Sequence, residues 1–206
     1  MTARTVILWP DARLFKKTKP VDNFSEALSH AQDLYHTMVV SYGAGLASTQ
    51  IGGDKSMCVI DSRYVPSLKP DDKLDDICVV LVNPTITPAS HEIFQWEEQC
   101  LSIPDITASV KRHNNITLEY FDLSGAHHKT TLSEIEAATV QHEVDHLFGR
   151  LFIHRLTGYS RHRAIKKLQK REKLKRVQNS SEDVKIGRPK RNRKKKSKHY
   201  GKSKKR

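Results

Sequence analysis

Residues 139–146 read Thr-Val-Gln-His-Glu-Val-Asp-His, and this segment carries a His-Glu-x-x-His motif. In a helix, His142 and His146 stand one turn apart on the same face, so both imidazoles can reach one metal ion. Glu143 beside them can move protons for a water molecule at that ion. Two histidines hold a catalytic metal poorly, so the chain is expected to supply a third ligand.

The residues around the motif favour a helix. From Ser133 to Leu147 the apolar residues recur at helical spacing. Ser133, followed three residues later by Glu136, predicts a capping box at the start of the helix. Gly149 is placed to end it in a left-handed conformation.

Cys100 is the candidate third ligand because it follows a predicted strand at 92–97 and lies between acidic residues and a proline. A thiolate and two imidazoles leave one tetrahedral position open, as in catalytic metal sites. A lone cysteine is more often a buried, inert thiol. The prediction therefore depends on two companion segments, Gly-x-Gly-Leu-Ala-x-x-Gln at 43–50 and Cys-Leu-Ser-x-Pro at 100–104.

Together with Gln-His-Glu-x-Asp-His at 141–146, these segments resemble the peptide deformylase family over roughly residues 4–158. The resemblance implies a metal-dependent hydrolase that removes the formyl group from N-formylmethionine on nascent polypeptides and releases formate. Zinc proteases share the His-Glu-x-x-His helix but lack the Cys-Leu-Ser segment. A peptidase is therefore the weaker alternative.

Metal chemistry predicts Cys100, His142 and His146 as ligands, and Glu143 as general base and later acid. The resemblance implies the oxyanion donors and the substrate contacts, while Asp145 is expected to hold backbone or a histidine in place. The remaining predicted site residues are Gln50 (side-chain amide) and Leu101 (backbone N–H) as oxyanion donors; Gly43, Gly45, Ile135, Ala138 and Thr139 as substrate contacts; and Glu98 with Arg112 as a supporting ion pair.

The resemblance implies one divalent metal ion, with Fe(II) expected natively. The ligand set suits zinc or nickel as well, so the sequence leaves the metal open. Two positions depart from the family pattern: Gln99 stands where a glycine is usual, and Ser48 where an alanine is usual. If that glycine needs a positive φ, Gln99 strains the backbone that carries Cys100. A ribosome- or nucleic-acid-binding protein that has lost most deformylase activity is therefore a second hypothesis.

The sequence of residues 1–158 predicts one α+β domain, with short mixed antiparallel strands around the motif helix. Apolar residues at helical spacing predict a helix over 24–41, with Asp22 or Asn23 as its N-cap. Short runs rich in β-branched residues predict strands. These lie at 56–61, 77–84, 92–97, 107–110 and 115–120.

Charge divides the chain. Residues 1–160 hold 14 Lys+Arg and 20 Asp+Glu, whereas residues 161–206 hold 22 and 3, which gives net charges of −6 and +19. A thin apolar stripe predicts a basic helix over 159–178, and a disordered Lys/Arg-rich tail over 179–206. Such a run is expected to bind a polyanion. The resemblance implies ribosomal RNA as the first predicted partner, because bacterial peptide deformylases dock on the ribosome through a C-terminal helix in the corresponding place.

Two other partners rank lower. The Gly187-Arg188-Pro189 segment resembles the core of a minor-groove AT-hook, so DNA is the second prediction. Acidic lipids are third, because the apolar stripe is too thin to insert well. Three unpaired cysteines, no signal peptide and no long apolar run favour an intracellular protein without a membrane span. The expected location is the cytoplasm, or an organelle or host cytoplasm with bacterial-type translation.

Overall fold

A computed structural model describes residues 3–71 and 73–186, with side-chain surroundings up to Val177. Residues Met1–Leu168 form one compact unit, and residues Gln169–Arg206 are assigned to a second. The elements are β1 (Gly45–Ala47), β2 (Met57–Asp61), β3 (Cys78–Pro88), β4 (Ile93–Cys100), β5 (Ile103–His113), β6 (Asn115–Phe121), β7 (His127–Ser133), α1 (Ala27–Val40), α2 (Glu134–Leu147) and α3 (Gly158–Ile186).

The strands form two antiparallel sheets. Five strands pair in the order β1-β2-β3-β6-β7, and β4 and β5 make a separate two-stranded sheet. Every residue of β2 is buried, which agrees with its unbroken apolar run at the centre of the fold. The predicted α+β fold is confirmed.

Three apolar clusters form the core, and one of them contains the motif helix. One face of the five-stranded sheet packs on α2 through residues such as Val140 and Val144. The opposite face packs on α1. The β4–β5 sheet packs on the segment after α2 and on Ala164 and Leu168, in the first turns of α3. Helix α2 also contacts β4 and β5, so strands of both sheets position its histidines.

Helix α2 begins differently from the prediction. Ser133 makes no side-chain capping hydrogen bond, so the predicted capping box is wrong. The Glu136 carboxylate instead accepts hydrogen bonds from the Ser67 backbone N–H and hydroxyl, at 2.7 and 2.8 Å. The long-range partner competes successfully because both groups of Ser67 converge on one carboxylate. At the other end, Gly149 has φ +69°, and an added Cβ would collide with the Phe15 carbonyl group. A glycine is thus required there, as predicted.

The N-terminal helix also differs in detail. Asn23 accepts a hydrogen bond from the Ser25 backbone N–H, as an N-cap does. The capped segment Phe24–Glu26 is a 3-10 turn, and the α-helix starts at Ala27.

The basic helix appears as α3, which continues to Ile186 rather than ending at 178. Residues 179–186 contain neither Gly nor Pro, so nothing in their backbone chemistry forces a helix to stop. The rest of the predicted disordered tail, with the Gly187-Arg188-Pro189 segment, lies outside the described residues. Within the described part, no helix is both long and apolar enough to cross a bilayer.

Candidate metal centre and active site

The predicted ligands converge from two elements. His142 and His146 project from α2, and Cys100 ends β4. The candidate ligand atoms of these three residues lie within 4.8 Å of one another, and no second group of three or more such residues occurs in the part of the chain that the structure describes. The Cys100 Sγ lies 3.4 Å from His146 Nε2. Three donors of this type fit one tetrahedral metal ion with an open position.

Glu98 orients one of the histidines. Its Oε2 lies 2.7 Å from His142 Nδ1, which leaves His142 Nε2 as the candidate ligand atom. Arg112 holds the same carboxylate from both sides, with Nε donating to Oε1 at 2.6 Å and Nη2 donating to Oε2 at 2.9 Å. Burial opposes ionisation of Glu98, but the hydrogen bonds from Arg112 and His142 outweigh it and lower the pKa of Glu98 below its usual value.

Asp145 extends this buried network. It accepts a hydrogen bond from Arg112 Nη1 at 2.5 Å, so it contacts the supporting arginine and not the candidate metal ligands. Arg155 also binds Asp145, through Nε to Oδ2 at 3.0 Å and Nη2 to Oδ1 at 2.5 Å. Arg155 was not predicted from the sequence, because the chain has left the helix at Gly149 and no periodicity relates Arg155 to the motif.

Glu143 lies on the cavity side of α2 with its carboxyl group buried. Its Oε2 has no hydrogen-bond partner among the described residues. Burial raises the pKa of Glu143 to about 7. Gly45 leaves room for this side chain, since an added Cβ would lie 2.6 Å from Glu143 Oε1. A carboxylate with a raised pKa and a free oxygen is suited to accept and return a proton near neutral pH.

Gln50 lies in a 3-10 turn, Ser48–Ile51, beside β1. Its Oε1 accepts from the Ala47 backbone N–H at 2.8 Å, which aims Nε2 at Cys100 Sγ, 3.6 Å away, and at Ser102 Oγ, 3.2 Å away. The amide N–H groups therefore face the candidate metal centre.

Ser48, the second departure from the family pattern, has its own support. Its hydroxyl donates to the Met57 carbonyl at 2.9 Å and lies 2.7 Å from His30 Nε2. Since the single hydroxyl proton goes to Met57, His30 is the donor in the second bond. The serine therefore ties α1 to the turn that carries Gln50.

A cavity of about 940 Å³ is lined by Gln50, Cys100, His142 and Glu143. All five predicted substrate contacts line it, and so does Leu101; they are Gly43, Gly45, Ile135, Ala138 and Thr139. Ala138 is buried, whereas Ile135 is partly exposed at the rim. Tyr42, Tyr64 and Trp96 also line the cavity and were not predicted. Trp96 could have been found, because it stands two residues before Glu98 in β4, and alternation places those two side chains on the same face.

The family model of polypeptide deformylase matches residues 3–162. The chain belongs to this family. It is 39% identical to a peptide deformylase of Methylocella silvestris over 84% of this chain and 87% of that protein, and 36% identical to one of Brucella suis over 82% and 94%. Its fold resembles a peptide deformylase structure from Legionella pneumophila, with a TM-score of 0.72 and 34% identity over 84% of this chain and 98% of that one.

Membership makes the chain a peptide deformylase-type enzyme: a metal-dependent hydrolase that removes the N-formyl group from formylmethionyl nascent chains. The predicted family and enzyme class are confirmed. These relatives favour the deformylase prediction over the peptidase alternative.

The glycine-to-glutamine departure does not strain this deformylase site. The φ angle of Gln99 is not positive. The residue lies in β4, at the point where the pairing with β5 shifts register between Glu98 and Cys100. Its side-chain Nε2 donates to Thr107 Oγ1 at 3.0 Å. The condition under which Gln99 would strain the backbone, a positive φ at this position, is therefore not met, and the main reason for the inactive-scaffold hypothesis is removed.

Proposed function

We propose that this deformylase uses Cys100, His142 and His146 to hold one divalent metal ion, with Glu143 as the proton-transfer group. The observation that carries the proposal is the Glu143 carboxyl group, which is buried, lacks a partner for Oε2 within the described structure, and lines the same cavity as Cys100 and His142. A buried carboxyl without a partner is costly unless a ligand or water completes it.

The proposed metal is Fe(II), with zinc and nickel as ions that the same ligand set accepts. When bound, the ion supplies Lewis-acid chemistry for attack on a carbonyl group. Glu98 forms a hydrogen bond with Nδ1 of His142, so the other ring nitrogen of His142, Nε2, faces the ion. Gln50 packs against the thiolate of Cys100 and restricts its orientation.

Glu143 takes a proton from the attacking water and returns one to the nitrogen of the leaving α-amine. Charge builds on the formyl oxygen during attack, and preorganised donors stabilise it. The Gln50 side-chain N–H and the Leu101 backbone N–H are the proposed donors. Gln50 suits this role because the Ala47 backbone already holds its carbonyl end.

The substrate lies in the cavity beside α2. Gly43 and Gly45 line its wall, where a side chain would meet Leu101 or Glu143, so backbone can come close to an extended peptide. Ile135, Ala138 and Thr139 form part of the pocket for the methionine side chain. The side chain of Ala138 is a small, buried methyl group, so the pocket is deep enough for the unbranched side chain of methionine.

The decisive assay is formate release from a formyl-Met tripeptide, with protein purified anaerobically with Fe(II). Glu143→Gln should keep stoichiometric metal and lose about 100-fold or more in turnover, whereas Cys100→Ala should lose metal and activity together. Glu119→Gln, which changes a partly exposed glutamate on β6, is the matched control. A Glu143→Gln enzyme that retains both metal and full turnover contradicts the proposed role.

We also propose that the basic C-terminal segment brings the enzyme to ribosomal RNA in the cytoplasm. Support comes from the net charge of +19 on residues 161–206 beside an acidic body, and from the exposed basic residues along α3. Sedimentation with ribosomes should fall steeply with salt, because phosphate contacts release counterions. Preferential retention on AT-rich duplex DNA over ribosomes would replace this partner with DNA.

A further inference from the structure

Arg155 connects the solvent-facing surface to the metal centre. Its side chain is about 40% exposed, yet its guanidinium forms two hydrogen bonds with Asp145, which is almost fully buried. From Asp145 the contacts continue through Arg112 to Glu98, and from Glu98 to His142 Nδ1. Each link in this chain is a charged hydrogen bond of 3.0 Å or less.

The charges along this chain balance only when Arg155 is counted. Glu98 and Asp145 are two buried carboxylates, and Arg112 is one buried guanidinium that touches both. Without Arg155, Arg112 alone would have to neutralise both acids. With Arg155 on Asp145, Arg112 can commit two of its N–H groups to Glu98, and this is the arrangement observed.

We propose that Arg155 is a positioning residue for the metal centre, which neutralises Asp145 so that Arg112 and Glu98 hold His142 in its metal-binding orientation. The inference rests on the proposed role of His142 as a ligand. Hydrogen-bond partners of metal-binding histidines set ring orientation and metal affinity. Arg155 lies three contacts beyond Glu98, the partner of His142, and acts through Asp145 and Arg112.

The geometry requires an arginine and not only a positive charge. Arg155 donates from two nitrogens to the two oxygens of Asp145, a fork that matches a carboxylate. Lysine would supply the charge but not the two parallel hydrogen bonds to the carboxylate. Arg155→Lys should therefore retain part of the effect, and Arg155→Met should lose it.

The first test is metal affinity, measured on metal-free protein by Zn²⁺ competition against a chromophoric chelator. We expect Zn²⁺ to bind about tenfold more weakly to Arg155→Met and about threefold more weakly to Arg155→Lys. Arg150→Met, which changes an exposed arginine on the same segment, is the matched control and should bind like wild type. Adding Asp145→Asn to Arg155→Met should weaken binding by less than the sum of the two single effects, because both act through one contact.

A purely structural role makes different predictions. In that case Arg155→Met would lower the melting temperature of the metal-free protein but leave Zn²⁺ affinity and the visible spectrum of the Co²⁺-loaded protein unchanged. A positioning role shifts that spectrum and lowers kcat at saturating metal, with little change in KM. Unchanged Zn²⁺ affinity and Co²⁺ spectrum in Arg155→Met overturn the inference.

The same Zn²⁺ measurements distinguish an error in the proposed ligand set from an error in the role of Arg155. If wild-type protein bound no Zn²⁺, or if Cys100→Ala bound it as well as wild type, the ligand set itself would be wrong. If wild type binds Zn²⁺ through that set and Arg155→Met binds equally well, only the role of Arg155 is wrong.

Discussion

Replacing Arg112 with methionine tests how strongly the buried network depends on its central cation. Arg112 is 2% exposed and gives two hydrogen bonds to Glu98 and one to Asp145, both of which are buried. Methionine fills much of the same space but leaves Glu98 without its cation. Asp145 keeps Arg155, so Glu98 carries most of the cost.

Breaking a buried ion pair by removing one partner costs about 3–5 kcal/mol of unfolding free energy. An exposed pair contributes about 0–1 kcal/mol. Arg4 supplies the matched control, since its side chain is 56% exposed and also forms two hydrogen bonds with a carboxylate, that of Asp33. Arg112→Met should therefore lose about 3–5 kcal/mol, and Arg4→Met less than about 1 kcal/mol.

The assay is urea unfolding at pH 7.5 with excess chelator, which removes the contribution of bound metal. Tryptophan fluorescence and circular dichroism should report the same transition. The pKa of Glu98 is lowered in the folded wild type, so its pairing stabilises the protein above its usual value of 4.5, and that contribution disappears as the pH falls through the lowered pKa. The difference between the two proteins should therefore shrink in acid. A loss below about 1 kcal/mol at pH 7.5 would refute the view that Arg112 offsets the burial of Glu98.

Three further predictions concern single positions. Gly45→Ala should lower turnover by about 100-fold with metal content unchanged, because its Cβ would displace the Glu143 carboxyl group; formate release and metal analysis check this. Tyr42→Gly should raise the free energy of unfolding by about 1 kcal/mol, because Tyr42 has φ +55° and is 97% exposed; urea unfolding measures it. Asp122→Asn should destabilise the protein at pH 6 but not near pH 2. Hydrogen bonds from Ser124 and His128 outweigh burial and lower the pKa of Asp122 to about 2, so its contribution is present above the usual 3.8 and is lost as the pH falls through 2; melting temperatures across this range test it.

Each of these predictions has a contrasting variant or outcome. Gly43→Ala should cost less activity than Gly45→Ala, since its Cβ meets the flexible end of Leu101. Tyr159→Gly, within α3, should destabilise rather than stabilise. A stability difference between wild type and Asp122→Asn that persists unchanged at pH 2 would contradict the assigned pKa.

The family and the convergence of Cys100, His142 and His146 could be predicted because they depend on local chemistry. The four-residue spacing of His142 and His146 gives two ligands on one helical face wherever that helix lies. The order of the three motifs pointed to the deformylase family and to Cys100. The end of α2 was predictable for the same reason, since Gly149 adopts a backbone conformation that other residues resist.

Long-range partners were decided by tertiary structure. Glu136 was expected to cap its own helix, but it binds Ser67, a partner 69 residues away in the chain. No sequence pattern indicates Arg155, because it follows the end of α2, whereas its partner Asp145 lies within that helix. The extended backbone of Gln99 depends on its pairing with β5 and on Thr107, which single-residue propensities do not describe.

The sequence by itself thus determined which side chains could be predicted to share a metal site, because a helix converts the spacing of His142 and His146 into a common direction. It did not determine which charges balance around those ligands. That balance depends on folding, which brings β4, β5, α2 and the segment after α2 within hydrogen-bond distance, and removes water so that each buried carboxylate must find a cation.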